Sequence, residues 1–112
     1  FVESIELNNY RNFDSLKVEF SPGKIFFGDN AQGKTNLLES IYVSGTLRSH
    51  RGSRDKELIR FGEDEAHIRL FFRKDSLSHR LDVHLKKNKS KGVAVDGVPV
   101  SYTHLRAHET AA

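Results

Sequence analysis

Apolar residues open the chain as Val2, Ile5 and Leu7, and the polar pair Asn8-Asn9 behind them is a turn signal, so a first strand is predicted over Phe1 to Leu7. Leu16, Val18 and Phe20 then alternate with Lys17 and Glu19, the period of a half-buried strand, until Ser21-Pro22-Gly23 stops it. Ile25-Phe26-Phe27 is a continuous apolar run, as in a strand covered on both faces, and it ends at Gly28. From Lys34 the spacing lengthens. Leu37, Leu38, Ile41 and Tyr42 share one face of a helix predicted to reach about Gly45, and the opposite face is polar. Arg48 to Gly62 is charged and aperiodic, a loop with a short helix around Lys56 to Arg60. Beyond it Ile68 to Arg73 and Leu81 to Leu85 read as strands, while Val93-Ala94-Val95 and Val98-Pro99-Val100 flank Asp96-Gly97, a tight-hairpin signal. The second half is therefore an antiparallel meander, and Lys86 to Lys91 is a solvated connection within it.

Composition narrows this picture. The 112 residues allow one core, with about 60–70% of the unfolded chain's surface buried. The 37% hydrophobic and 29% charged residues are ordinary for a soluble chain. No apolar run approaches the roughly 18 residues of a membrane span, and no cationic-then-apolar leader opens the chain. The net charge of +3 mildly favours an anionic partner. The absence of cysteine excludes disulfides and thiolate metal sites and fits a reducing cytoplasm. Methionine is missing even at position 1, so the chain is expected to be a piece of a longer protein.

The most specific feature is Gly28-Asp29-Asn30-Ala31-Gln32-Gly33-Lys34-Thr35, a complete match to the phosphate-loop pattern G-x-x-x-x-G-K-[ST]. An apolar strand precedes it and an amphipathic helix follows, as that pattern requires. Its glycines let the backbone wrap so that successive amides point at phosphate oxygens, and the helix beginning near Gly33 adds its positive end. Lys34 is placed to meet the β- and γ-phosphates, and the Thr35 hydroxyl to ligate Mg²⁺. The plain alternative is a glycine-rich turn that merely starts a helix; the strand and helix around it favour nucleotide binding.

Around this motif Asn9-Tyr10-Arg11-Asn12-Phe13, Phe20-Ser21-Pro22-Gly23, Gly28 to Glu39 as GDNAQGKTNLLE, Arg48-Ser49-His50-Arg51 and Asp55-Lys56-Glu57-Leu58-Ile59-Arg60 follow one another in an order that resembles the RecF family over roughly the first hundred residues. That family belongs to the SMC-like branch of the ABC-type ATPases. The resemblance implies an α/β fold, the N-terminal lobe of a P-loop NTPase head in which the loop's helix lies between a mixed sheet and an antiparallel meander, over residues 1–99. It also implies ATP and Mg²⁺ as cofactors and Arg11 and Asn12 near the nucleotide. Arg48, with Arg51 in the same loop, then belongs to a segment that senses nucleotide or DNA. Read without the resemblance, Arg11 is a surface arginine in a turn, and Arg48 and Arg51 form a solvated basic loop, which for that pair is the favoured reading. The implied partners are single- and double-stranded gapped DNA, a second copy in an ATP-dependent homodimer, and recombination mediators of the RecR and RecO type. The implied work is gap repair and the SOS response in the cytoplasm, by assisting recombinase loading. Departures from the family pattern fall at Ala31, where glycine is frequent, and at Phe26-Phe27.

An ATPase of this class also needs an apolar strand ending in acidic residues and a signature segment that reaches the partner subunit. Neither occurs, because Arg73 and Lys74 separate the run from Ile68 from its acid, Asp75. No appreciable hydrolysis by this chain alone is expected. The alternatives are another SMC-like or generic phosphate-loop protein, or a nucleotide- or DNA-binding module that never hydrolyses ATP. Residues 100–112 resemble a translated sequencing-adapter peptide and are set apart as a non-native tail, so the i, i+4 pair His104 and His108 is not read as a metal site. His79 and His84 are an odd number of residues apart on a predicted strand and face opposite sides. No nucleophile elbow or paired carboxylates support another enzyme class.

Overall fold

The computed structural model describes residues 1–20 and 31–100. The strand expected at Ile25-Phe26-Phe27, the opening residues Gly28 to Asn30 of the phosphate loop, and the tail from Ser101 lie outside the described residues. Strands β1 (Val2–Tyr10) and β2 (Phe13–Glu19) lead to helix α1 (Ala31–Thr46), then to a short helix α2 (Asp55–Leu58) and to strands β3 (Glu65–Lys74), β4 (Leu77–Lys86), β5 (Gly92–Val95) and β6 (Val98–Val100). The strands make one six-stranded sheet in the order β2-β1-β3-β4-β5-β6. All its pairings among the described residues are antiparallel, and because β1 pairs with β3 the N-terminal hairpin and the meander are a single sheet.

Alternation decides which face is buried. Ile5, Leu7, Ala66, Ile68, Leu70, Val83, Leu85 and Val93 are buried together with residues of both helices. The opposite face carries the charged rows Lys17, Arg69, Asp82 and Lys86. There Asp82 accepts hydrogen bonds from Arg69 at 2.7 Å and Arg80 at 2.9 Å. Burial pushes the Asp82 carboxyl upward, but the bond and charge of Arg69, aided by His67, outweigh it and hold the group below its ordinary value. His79 and His84 do fall on opposite faces: His79 stacks on Phe72 and His84 on His67.

Two turns differ in how well local sequence anticipates them. Asp96-Gly97 closes the β5–β6 hairpin with both residues at positive φ, 52° and 82°, as Asp-Gly predicts. The Asn8-Asn9 turn does not form. β1 runs on to Tyr10, which pairs with Phe13, and the chain reverses at Arg11-Asn12 instead. Tertiary pairing is the reason: the Asn9 carbonyl accepts the Arg60 amide at 2.7 Å, the Arg11 amide reaches the Leu58 carbonyl at 2.8 Å, and Tyr10 bridges Ile59. The segment after α2 thus extends the edge of β1.

Helix α1 packs on β3 and β4. Leu37, Val43 and Leu47 are buried, but so are Asn36, Glu39, Ser40 and Ser44, whereas Leu38 and Tyr42 are each 46% exposed. The buried face is therefore rotated from the one that apolarity predicts. It tolerates serine because the Ser40 and Ser44 hydroxyls bond the helix's own carbonyls at Leu37 and Ser40. The helix ends at Leu47, in the left-handed region at φ 64°. Its carbonyl accepts the Lys91 ammonium at 2.7 Å, and Lys91 also meets Asp55 at 3.1 Å. Far from being a solvated connection at this point, Lys91 ties the β4–β5 link to α1 and α2.

Candidate functional site

Gly33, Lys34 and Thr35, the last residues of the phosphate-loop pattern, lie within the first turns of α1, with Lys34 and Thr35 exposed. Ala31 and Gln32 begin the same helix. Asn36, the next residue, turns inward. Its amide donates to the Asn12 side chain at 2.9 Å, and its carbonyl oxygen accepts Arg51 at 2.9 Å. The two-residue reversal after β1 and the loop after α1 are in this way fastened to the helix immediately beside the phosphate-loop residues.

One turn along α1, Glu39 is wholly buried and gathers the rest of the site. Arg11 grips it in a two-pronged fork, Nε to Oε1 at 2.9 Å and Nη2 to Oε2 at 2.8 Å. Tyr10 donates its hydroxyl at 2.8 Å, Ser49 donates at 2.6 Å, and Arg51 lies 3.8 Å away. Burial raises the carboxyl's proton affinity, but the hydrogen bonds from Arg11, Ser49 and Tyr10 and the Arg11 charge outweigh it and bring Glu39 down to about 2. Burial first, then the bond to Glu39, pushes the Tyr10 hydroxyl well above its ordinary value, so it stays a donor. Two guanidiniums share one carboxylate here, which leaves one net positive charge beside the start of α1.

Arg11 adopts φ 55°, a conformation that costs a residue with a side chain of order 1–3 kcal/mol and persists only where the surroundings enforce it. The Glu39 fork, the Ser53 hydroxyl at 2.9 Å and the amide bond to Leu58 provide that enforcement. Arg11, Asn12 and Asn36 form one wall of an open cleft of about 1060 Å³, whose other walls include Lys56, Arg60 and Lys87.

Of the residues singled out in the sequence, Arg11, Asn12 and Arg51 converge on Asn36 and Glu39, which follow Gly33, Lys34 and Thr35 on α1. Arg51 is therefore an anchored side chain, not part of a merely solvated loop. Arg48 is exposed, and its backbone amide and carbonyl both engage the Thr46 hydroxyl; its side chain is not part of the cluster. Sequence reasoning passed over Glu39, Asn36, Tyr10 and Ser49. The available signal was three polar residues, Asn36, Glu39 and Ser40, at helical spacing on the face shared with Leu37 and Val43.

The family model described as AAA domain matches residues 4–104 of the chain. The chain belongs to the AAA domain family. Within it, the chain is 55% identical over 100 residues to the DNA replication and repair protein RecF of Lachnoclostridium phytofermentans, a match covering 88% of this chain and 28% of that protein. The chain thus spans 28% of the length of this curated relative. The solved structure of the recombination mediator protein RecF-ATPrS in the RecFOR pathway superposes with a TM-score of 0.84 at 35% identity, over 92% of this chain and 28% of that one. A structure from work on ATP-driven dimerization and DNA stimulated activation of SMC ATPases superposes with a TM-score of 0.81 at 19% identity, over 99% of this chain and 78% of that one, and shows the shared fold alone. This AAA domain therefore has the ATPase-head fold of RecF and SMC heads. No helix among its described residues is long and apolar enough to cross a membrane.

Proposed function

We propose that this AAA domain binds the triphosphate of ATP with Mg²⁺ and is the ATP-binding part of a RecF-like DNA replication and repair protein. The observation that carries the reading is the position of Lys34 and Thr35, exposed in the first turns of α1, with Arg11 and Arg51 anchored to Glu39 one turn further along the same helix. In this reading the backbone amides at the start of α1 face the phosphates, Lys34 neutralises the β- and γ-oxygens, and the helix end adds its partial positive charge. Mg²⁺ takes hard oxygen ligands and is commonly held by one or two protein groups together with substrate phosphates. The Thr35 hydroxyl fits that donor type and would hold the ion, which would supply charge neutralisation at the phosphates. Arg11 and Arg51, restrained by Glu39 and Asn36, give a fixed positive field at the mouth of the site, and Asn12 holds Asn36.

The 55% identity to a RecF protein supports placing this nucleotide site in DNA repair. On that reading the intact protein forms ATP-dependent dimers and engages DNA at single-stranded gaps. There it assists recombinase loading with RecR- and RecO-type mediators in the cytoplasm, and Arg48 is available to DNA. The test is isothermal titration of ATP with Mg²⁺ into the chain and into Lys34→Ala. Charge-assisted hydrogen bonds contribute about 1.5–3 kcal/mol, so affinity is expected to fall roughly ten- to a hundredfold. Unchanged affinity in a folded variant overturns the assignment.

A further inference from the structure

The link between β4 and β5, Lys86-Lys87-Asn88-Lys89-Ser90-Lys91, holds four lysines and no carboxylate. Lys91 is engaged by the Leu47 carbonyl and Asp55. Among the described residues, the ammonium groups of Lys86, Lys87 and Lys89 meet no carboxylate, and neither does that of Lys56 on α2. The sheet itself is different. Every arginine on β3 and β4 is matched, Arg69 and Arg80 by Asp82 and Arg73 by Glu3. Lys56 and Lys87 line one cleft, so the exposed side of α2 continues the basic patch. Of the two carboxylates that line it with them, Glu57 turns back to accept the Arg54 amide at 3.1 Å, which leaves Glu63.

The link is held at both ends. The Lys87 amide donates to the Asp64 carbonyl at 3.0 Å, and the Lys91 ammonium to the Leu47 carbonyl at 2.7 Å. Cations on a pinned loop lose less freedom when they bind than cations on a loose one. Lysine, asparagine and serine are residue types that contact phosphate oxygens. The link has no apolar or aromatic side chain to enter a bilayer or stack on a base, so its chemistry matches a row of phosphates. We propose that the β4–β5 link, with Lys56 beside it, is a contact surface for the phosphodiester backbone of duplex nucleic acid, bound without regard to sequence. The inference rests on the DNA-repair reading for its partner and is independent of the ATP site.

Binding of a mixed-sequence DNA duplex is followed by fluorescence anisotropy between about 50 and 200 mM salt, without nucleotide. The proteins compared are the parent chain, a triple variant Lys86→Gln, Lys87→Gln and Lys89→Gln, the same three positions changed to arginine, and Lys74→Gln. Lys74 is the control, an exposed lysine at the other end of β3 from Glu65, the cross-strand partner of Lys86. Each phosphate contact contributes about 0.9 to the slope of log affinity against log salt, so the glutamine triple is expected to have a slope shallower by about 2.7. The arginine triple is expected to keep the parent's slope, and Lys74→Gln to leave it unchanged. A glutamine triple with the parent's slope overturns the proposal while the DNA reading stands. An equal effect per charge from Lys74→Gln also overturns it, because net charge alone then accounts for the attraction. Loss of binding to anionic phospholipid vesicles in the glutamine triple, with duplex binding intact, overturns it by assigning the link to a membrane surface. A parent chain that binds no duplex at the low-salt end overturns the DNA reading and the proposal together.

Discussion

Replacing Glu39 by glutamine removes one charge and almost no volume from the centre of the site. In the parent the carboxyl is held at about 2 against an ordinary 4.5. Each unit of such a shift corresponds to about 1.4 kcal/mol, so the ionised group contributes about 3 kcal/mol to folding near neutrality. Breaking a buried ion pair from one side costs about 3–5 kcal/mol. The partial exposure of Arg11, 21% of its side chain, places the loss at the lower end. A depressed carboxyl stabilises the fold fully above its unfolded value and loses that contribution as pH falls through the folded one. The gap in urea-unfolding free energy between the parent and Glu39→Gln is therefore expected to be about 3 kcal/mol at pH 7, to hold down to about pH 4.5 and to close toward pH 2. Unfolding is followed by far-ultraviolet circular dichroism at a series of pH values. A gap below about 1 kcal/mol at pH 7, the size of an ordinary surface effect, or a gap that does not narrow in acid, refutes the reasoning.

Two further outcomes are expected. Lys91→Met removes two bonds from an ammonium whose side chain is only 13% exposed; it should destabilise the fold by about 2 kcal/mol and speed amide exchange across the segment from Leu47 to Asp55, and unchanged exchange there rejects the clamp. Leu38 and Tyr42 expose an apolar face on α1, so the chain should associate in sedimentation velocity and Leu38→Ser with Tyr42→Ser should reduce the association; a sharp monomeric boundary for the parent contradicts this.

What the sequence determined by itself was the part governed by local rules. Alternation at Leu16, Val18 and Phe20 and again from Ile68 is legible because a strand half covered by a core must repeat every second residue. Asp96-Gly97 is legible because few residue pairs accept two successive positive φ angles. The phosphate-loop pattern is legible because its chemistry depends on residues close together in the chain. Tertiary structure decided the rest. Asn8-Asn9 fails to turn because Arg60 and Leu58, some fifty residues away, offer β1 a further pairing, and Arg11 accepts a strained backbone in exchange for Glu39. Apolarity points to the wrong face of α1 because Asn36, Glu39, Ser40 and Ser44 find their hydrogen bonds inside the protein, while Leu38 and Tyr42 face water. A buried polar group is tolerated only when its partners are present. For Asn36 and Glu39 those partners come from the end of β1, the reversal after it and the loop after α1, segments that only the folded chain brings together, so the centre of the site was invisible to any reading of neighbours along the sequence.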